Sequence, residues 1–321
     1  MNAKSPQRDA TRKTGLAAAV RTPLFVIGAG IVSLIVILCV LGPLALPYRP
    51  NDIDLNNMES APNAMHWLGT DALGRDVLAR LLYGGRMSML VGLAAVCIQV
   101  IVGTVLGSIA GYAGGWADAT IMRVTEIFQC FPFYPIAITL ASLMGANIWN
   151  VVFIIGFLQW TGLCRLVRAE VLSLRESEFV LYTKALGLTS RHIILKHLVR
   201  NCYPTILVNA TLAVTWAVLS EASMSFLGLG VSQPNSSWGN MLSQAQSLRI
   251  LSGEPWLWVP PGAAIICLVL SVNFIGEAMS RAVTPNKPHV RDIDPPREWK
   301  PAAKSHDNED AQAQHEEEAR P

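Results

Sequence analysis

Five long stretches of this sequence contain no charged residue: 22–48, 87–117, 127–164, 201–220 and 255–276. An α-helix rises about 1.5 Å per residue, so about 20 consecutive apolar residues cross the hydrocarbon core of a membrane. Charged residues make up only 15% of the chain, whereas about 25% is typical of soluble domains. The pattern therefore predicts an all-α membrane protein.

Six transmembrane helices account for these stretches, because 127–164 can complete one helix and hold another if the chain breaks near Gly145. The first stretch is too long for a signal peptide and no small-residue cleavage site follows it, so it counts as a span. We expect the helices at 23–46, 87–113, 117–144, 148–167, 204–226 and 257–280. The expected organisation is a cytoplasmic tail (1–22), a first helix with its outer loop (23–86), a main membrane domain (87–280) and a disordered cytoplasmic tail (281–321).

The distribution of basic residues predicts the orientation of the chain. If both termini are cytoplasmic, 20 of the 25 Lys and Arg residues lie on the cytoplasmic side and five on the outer side. Short loops with an excess of Lys and Arg stay in the cytoplasm, so this topology is the expected one. The net charge of +2 gives no reason to expect a nucleic-acid partner.

Two outer segments carry structural signals. Between 71 and 86, apolar residues recur at helical spacing among three arginines, which predicts an amphipathic helix at the membrane interface before the second span. The second outer loop, 227–256, is rich in Gly, Ser, Pro and Trp. We expect its tryptophans, including Trp238 and Trp256, at the level of the lipid headgroups.

A stripe of small residues runs along the second span at Gly103, Gly107 and Gly111. Small residues four apart leave a flat helix face on which a neighbouring helix packs closely. The neighbour is either another helix of this chain or a helix of a second chain.

The strongest functional signal is the charged segment 168–202, which separates two apolar stretches on the basic side. Ser173–Glu176 has the spacing of a capping box. A helical run, Glu178–Leu186, follows with Lys184 near its negative C-terminal end. Gly187 can then take the left-handed conformation that ends a helix.

A second helix can begin at Thr189 or Ser190 and contain the apolar residues Ile193 and Leu198. Residues 178–198 would then form a helix–Gly–helix unit, here called the bracket. A lone loop cannot bury its own apolar side chains. They either contact a partner protein or fold back onto the membrane interface.

The bracket resembles the coupling loop of bacterial ABC importer permeases, the so-called EAA loop. The residues that match are Glu178, Phe179, Val180, Lys184, Ala185, Leu186 and Gly187. Tyr182 and Thr183 stand where that family usually has small residues. The resemblance implies that the bracket docks an ATPase through Glu178, Phe179, Tyr182, Lys184, Ala185, Leu186, Gly187 and Arg191.

Three other stretches are similar to the C-type permease of dipeptide and oligopeptide importers, and the likeness spans about residues 20–285. They are His66–Val77 (HWLGTDALGRDV), then Met122-Arg123 with Glu126 and Phe131-Pro132, and finally Glu221–Gly230 (EASMSFLGLG) with Trp238-Gly239. The resemblance implies the type I ABC importer permease fold with six transmembrane helices.

The resemblance also implies a function and partners. This chain would form half of a transmembrane pathway for peptides, with a second homologous permease, two ATPase subunits and a periplasmic binding protein, in the bacterial inner membrane and in contact with lipid. Related permeases carry nickel, opines or oligosaccharides, so these cargoes stay open. A stand-alone secondary transporter is the other alternative, but it would need buried acids near the membrane centre, and here the acids cluster at span ends.

No catalytic role is expected for this chain. It contains no Gly-Lys dipeptide and therefore no P-loop, so ATP and Mg²⁺ would bind to the partner ATPases and no cofactor to this chain. Its six cysteines have no metal-binding spacing. We expect them to be small core residues and predict no metal site.

Polar residues within the spans are candidates for the pathway. Each of them either hydrogen-bonds a neighbouring helix or contacts the substrate. They are Gln129, Gln159, Asn209 and Glu221, the last at the outer end of the fifth span, where it would line the entry. Arg123 and Glu126 are expected to pair with each other near the cytoplasmic end of the third span.

Overall fold

The computed structural model describes residues 19–145, 147–231 and 234–283. Across these ranges the named elements are all helices, and the only β pairing in them is one bridge between Thr70 and Asp76. The predicted cytoplasmic tails, 1–22 and 281–321, lie outside the described residues except for 19–22 and 281–283.

Five helical segments of the described residues are long and apolar enough to cross a membrane, or six if one bent pair counts as a span. The helices are α1 Pro23–Ala45, α2 Val77–Ala113, α3 Gly115–Cys130, α4 Phe133–Met144, α5 Ile148–Leu158, α6 Trp160–Arg175, α7 Glu178–Ala185, α8 Ser190–His192, α9 Val199–Phe226, α10 Trp238–Leu242, α11 Leu248–Gly253 and α12 Pro255–Val283. A π-helical stretch, Ile193–Leu198, joins α8 to α9, and 3₁₀ turns lie at Leu55–Asn57 and Ser243–Gln246. The prediction of an all-α protein with six spans is confirmed.

The second span begins earlier than predicted. Asp76 is the N-cap of α2, and its carboxylate accepts a 2.7 Å hydrogen bond from the backbone N–H of Ala79. From Val77 the helix continues without interruption to Ala113. The separate interfacial helix predicted before the span is therefore wrong: the helix continues through Gly84 and Gly85, which pack closely against Ser237 and Trp238.

The third span is broken. The prediction of one helix over 117–144 is wrong, since α3 and α4 meet at an angle of 87°. Phe131, between them, has extended backbone angles (φ −95°, ψ 134°). The ring of Pro132 disfavours the helical conformation at the residue before it, which explains the break.

The fourth and fifth spans extend further toward the bracket than predicted. The fourth ends at Arg175 instead of near 167, after a joint at Gln159 between α5 and α6. The fifth runs as one helical segment from Ser190 to Phe226, so its predicted start at 204 is wrong. The second arm of the bracket is therefore a direct extension of the fifth span, whereas the first arm follows the end of the fourth span after a turn at Glu176-Ser177.

The glycine stripe packs α2 against α6 of the same chain. A Cβ atom at Gly103 would lie 3.0 Å from the Cβ of Leu163, and one at Gly107 would lie 2.5 Å from the carbonyl oxygen of Cys164. A Cβ at Gly111 would lie 2.8 Å from the oxygen of Arg168. Of the two alternatives that the sequence left open, the structure shows packing within the bundle.

A side-chain cation joins the first two spans. Pro43 lies inside α1 and has no N–H, so it cannot bond the carbonyl of Cys39 one turn earlier. The Nε of Arg86, on α2, donates to that carbonyl at 2.6 Å, and its Nη2 donates to the carbonyl of Val40 at 2.6 Å. Arg86 thus supplies the hydrogen bond that the proline removes.

Candidate functional site: the bracket

The first arm of the bracket is α7. Ser177 is its N-cap, with extended backbone angles of φ −71° and ψ 146°. The predicted capping box at 173–176 is wrong, because α6 continues through Arg175 and the chain turns only afterwards. Glu178 lies in the first turn of α7 and Lys184 in the last, where each charge suits the helix dipole.

Gly187 ends α7 with a Schellman motif. Its φ of +76° is left-handed, as the sequence predicts. Its N–H donates to the carbonyl of Lys184 at 2.9 Å, and the N–H of Leu188 donates to the carbonyl of Thr183 at 3.3 Å. These are the two bonds that define the motif, so the turn between the two arms has one well-defined geometry.

The second arm starts at Ser190 and merges with the fifth span. Thr189 is its N-cap by backbone angle (φ −66°, ψ 146°), but the Thr189 side chain accepts no capping hydrogen bond from a backbone N–H. The π-helical stretch Ile193–Leu198 then leads into α9. Stretches of π-helix are rare and often occur at functional sites.

Apolar packing fixes the base of the bracket to the membrane bundle. Val180 of α7 and Ile193 and Leu198 of the second arm are buried in one cluster. The cluster also contains Leu163, Val167, Val171, Cys202 and Ile206 from α6 and α9. In addition, the Nζ of Lys184 lies 4.9 Å from the ring centre of Tyr112, at the end of α2. The bracket therefore contacts three of the spans.

The opposite face of the bracket is open and apolar. Leu181, Tyr182, Leu186 and Leu195 are 54%, 69%, 78% and 70% exposed. The side chains around them are mostly basic, and Arg191, Lys196 and Arg200 are all exposed. Phe179 and Ala185 are exposed as well, Phe179 with its ring 6.5 Å from that of His197. The predicted docking residues thus share one unit, which exposes both apolar groups and mostly basic charged side chains.

The predicted pathway residues are distributed over α3, the joint of α5 and α6, and α9. Gln129 is exposed at the end of α3, and Gln159 is half-buried at the joint of α5 and α6. Asn209 is half-buried and lines a small cavity with Leu166 and Ser280. Glu221 is completely buried, so the prediction that it lines an open entry does not describe this conformation.

Glu221 instead anchors the outer segment. Its two carboxylate oxygens accept hydrogen bonds from the hydroxyls of Ser88 (2.9 Å) and Ser225 (2.7 Å). Those hydroxyls in turn accept from the backbone N–H groups of Trp238 (3.2 Å) and Val231 (3.3 Å). The side chain of Trp238 is buried in the protein and not at the headgroups, which corrects that prediction. A buried carboxylate must find such donors.

A second polar cluster, in the first outer loop, was not predicted. Asp71 is buried and accepts hydrogen bonds from the backbone N–H of Leu73 (2.9 Å) and from the Nε of Arg75 (2.8 Å). Asp76 faces the Nδ1 of His66 at 2.9 Å, also buried. The sequence signal for this cluster is the high density of charged residues between 66 and 80.

Hydrogen bonds shift the pKa values of two charged groups in the outer loops. Hydrogen bonds from the side chain of Asn57 and the N–H of Asn56 hold the pKa of Asp54 below its usual value. Hydrogen bonding to Glu59 raises the pKa of Arg249, which also bonds Glu254 at 2.7 Å. Arg249 thereby joins the two outer loops.

The cysteines divide into two groups. Cys39, Cys164 and Cys202 are buried, as small core residues are, whereas Cys97, Cys130 and Cys267 are exposed on apolar helices. The prediction that all six are core residues is therefore wrong for three of them. In the described part of the chain, no group of three or more His, Cys, Asp or Glu side chains is arranged to hold a metal ion.

Comparison with known proteins agrees with the geometry of the bracket and the spans. Residues 103–287 match the family described as "Binding-protein-dependent transport system inner membrane component". Residues 19–62 match the "N-terminal TM domain of oligopeptide transport permease C".

Curated relatives cover most of the chain. A putative peptide permease protein of Brucella suis biovar 1 is 45% identical over 76% of this chain and 80% of its own. The oligopeptide transport system permease protein OppC of Haemophilus influenzae is 42% identical over 79% and 82%. The dipeptide transport system permease protein DppC of Alkalihalophilus pseudofirmus is 36% identical over 88% and 91%. The chain therefore belongs to the family of binding-protein-dependent inner-membrane components: it is a multi-pass permease subunit of an ABC importer, working with ATPase and substrate-binding partners and not itself an enzyme.

Proposed function

We propose that this permease imports peptides and that its bracket is the surface on which an ATPase subunit docks. The observation that carries the docking is the open apolar face at Leu181, Tyr182, Leu186 and Leu195. Large exposed apolar patches on a protein mark interaction sites. The basic residues around the patch favour a partner surface with acidic groups.

The peptide cargo rests on the relatives, which are named for peptides, oligopeptides and dipeptides. ATP and Mg²⁺ bind to the ATPase partners in this proposal, and this chain binds no cofactor. The movement of the ATPases reaches the pathway through α6 and α9, because the second arm continues into α9 and the first arm packs against α6 through Val180.

A second permease completes the pathway in this proposal. Support comes from polar side chains, such as Gln129, that stay exposed at the end of α3. Lipid covers α1, where Ile27, Leu34 and Ile37 are among the exposed apolar residues. The basic bracket supports a cytoplasmic location for it and for both termini.

Reconstitution tests the function. The chain, a second permease, the ATPases and the binding protein from the same organism are placed in liposomes, and uptake of radiolabelled di- and tripeptides is measured. We expect uptake that needs ATP and the binding protein. Uptake by this chain alone, driven by an ion gradient, would refute the proposal. Uptake of nickel, opines or oligosaccharides but not of peptides would show that the proposed cargo is wrong.

A further inference from the structure

Three polar side chains lie on one face of α3: Arg123, Glu126 and Gln129, here called the polar strip. Residues three apart on an α-helix lie about 60° apart around its axis, so the three share about a third of the circumference. The side chains of Arg123 and Glu126 are 78% and 51% exposed, and Gln129 is exposed too. The Nη1 of Arg123 lies 2.9 Å from the Oε2 of Glu126, so the two charges neutralise each other.

Contacts with the fourth span fix the depth of the polar strip. Near the start of α3, Asp118 pairs with Arg168 of α6. Further along α3, the ring of Phe128 lies 5.7 Å from that of Trp160 and 5.6 Å from that of Phe157. Residue numbers increase along α3 while those of the contacted residues on the fourth span decrease. The two segments therefore run antiparallel, side by side.

Arg123 and Glu126 lie between these two contacts, and Gln129 directly follows the second. Arg123 and Glu126 are accordingly level with the region from Trp160 to Arg168, much of which belongs to the charge-free stretch that ends at Cys164. The polar strip therefore lies beside the charge-free part of the fourth span, which its composition assigns to the membrane.

Lipid cannot be the neighbour of the polar strip. Charged side chains facing hydrocarbon are costly, and those within membrane spans almost always face protein or a water-filled cavity. Among the described residues, Arg123 and Glu126 hydrogen-bond only each other. Something other than the described residues must therefore contact this face.

We propose that the polar strip is this subunit's part of the wall of the translocation pathway and that the passing peptide contacts it. The inference rests on the proposed function. Charged residues are depleted from the buried cores of protein interfaces, which favours the pathway over a contact with the second permease.

The chemistry of the polar strip suits a peptide. A peptide carries an ammonium group, a carboxylate and amides, and Glu126, Arg123 and Gln129 offer a matching partner for each. Because Arg123 and Glu126 neutralise each other, neither end of the peptide is held strongly. A transport pathway requires such weak contacts, since what enters must also leave.

Thiol labelling of the complete reconstituted importer tests the location. The exposed cysteines Cys97, Cys130 and Cys267 are first replaced by Ala, and then Gln129→Cys is compared with Leu34→Cys, a residue 55% exposed on the apolar helix α1. We expect a negatively charged methanethiosulfonate reagent to modify Gln129→Cys at least about tenfold faster, because only water-facing thiols ionise and react. A peptide that the wild-type importer accepts, supplied with its binding protein and ATP, should slow that labelling.

If Gln129→Cys reacts as slowly as Leu34→Cys in both the resting and the transporting importer, the polar strip is covered by the second permease or by lipid and the inference is wrong. Normal uptake by the wild-type importer in the same experiment keeps the proposed function intact. Absence of wild-type uptake would instead count against the proposed function.

Charge substitution tests the contact with peptide. Glu126→Gln leaves Arg123 unpaired and should raise the uptake of an acidic peptide relative to a basic one by about tenfold, and Arg123→Gln should shift the ratio the other way. The double substitution should restore the wild-type ratio. A structural role alone would lower uptake of both peptides equally, and equal or absent shifts would overturn the inference.

Discussion

The first outer loop (47–76) and the bracket expose apolar side chains to a similar degree, but they differ in what lies beneath. The outer loop is built around buried polar groups that satisfy one another, with Asp71 and Asp76 at the centre. The bracket has an apolar base at Val180, Ile193 and Leu198, and none of the described residues covers its outward face. The first is therefore complete as it stands, whereas the second needs another protein.

The comparison teaches where function can be read from an isolated subunit. A loop whose buried charges are all paired owes its shape to its own chain, and changing it damages the fold. The apolar face of the bracket, which no described residue covers, is expected to bind a partner protein. A substitution there should therefore impair assembly and transport. The predictions below follow that division.

The largest effect is expected from Asp71→Asn. It leaves Arg80, which is 1% exposed and 3.5 Å from the Asp71 carboxylate, without its counter-charge. Removing one partner of a buried ion pair costs about 3–5 kcal/mol. Fluorescence-detected thermal melting in detergent should show a strongly destabilised protein. Asp52→Asn, at an exposed position of the same loop, is the control, and equal melting of the two variants would contradict the comparison.

Gly107→Leu should come next, because α2 packs against the span that carries the bracket. A Cβ there would lie 2.5 Å from the Cys164 oxygen and 3.0 Å from the Cβ of Val167. Overpacking of this kind costs about 1–3 kcal/mol, and the melting temperature should fall accordingly. Gly162→Leu meets nothing within 4 Å and should melt like the wild type. If both variants are equally stable, the close α2–α6 contact does not exist in the membrane.

Gly187→Val should leave the membrane bundle intact and uncouple the bracket. A β-branched residue at a φ of +76° costs about 1–2 kcal/mol, which distorts the Schellman turn. In the reconstituted importer, ATP hydrolysis should continue while peptide uptake falls at least about tenfold, since the bracket must be stiff to transmit motion. Gly187→Asn should be milder because Asn tolerates left-handed angles. Normal coupling in the valine variant would remove this account of the turn.

The smallest effect on the isolated chain is expected from Leu186→Ala. Exposed substitutions usually change stability by less than about 0.5 kcal/mol, but truncation of an interface anchor costs about 1–2 kcal/mol of binding. Binding of the purified ATPase, measured by light-scattering or surface-based titration, should therefore weaken about tenfold. Leu248→Ala, at an outer residue that is 81% exposed, should bind normally. Unchanged binding in the first variant would mean that the apolar face serves another contact.

Sequence patterns predicted well what depends on short stretches of chain. Charge-free runs located all six spans, and a glycine after a basic helical turn located the end of α7 at Gly187. The errors at the third span also had a local cause, since Phe131-Pro132 breaks the helix. That signal was present in the sequence and was outweighed by the length of the apolar run.

Other errors came from contacts between distant segments. Trp238 was expected at the headgroups, but its indole Nε1 finds the carbonyl of Leu81 at 2.9 Å, so its ring can be buried. Glu221 was expected at an open entry, but hydroxyls from two helices enclose it. No sequence pattern shows which distant donor will meet a given acceptor.

The sequence by itself determined that this chain crosses a membrane, where its spans lie, and that its bracket has a glycine turn, because hydrophobicity and backbone preference act over a few residues at a time. Only the tertiary structure decided that the glycine stripe packs against α6, that Glu221 is an anchor, and that Arg123 and Glu126 lie beside the charge-free part of the fourth span. Those facts depend on which helices become neighbours, and the packing of the whole bundle selects them.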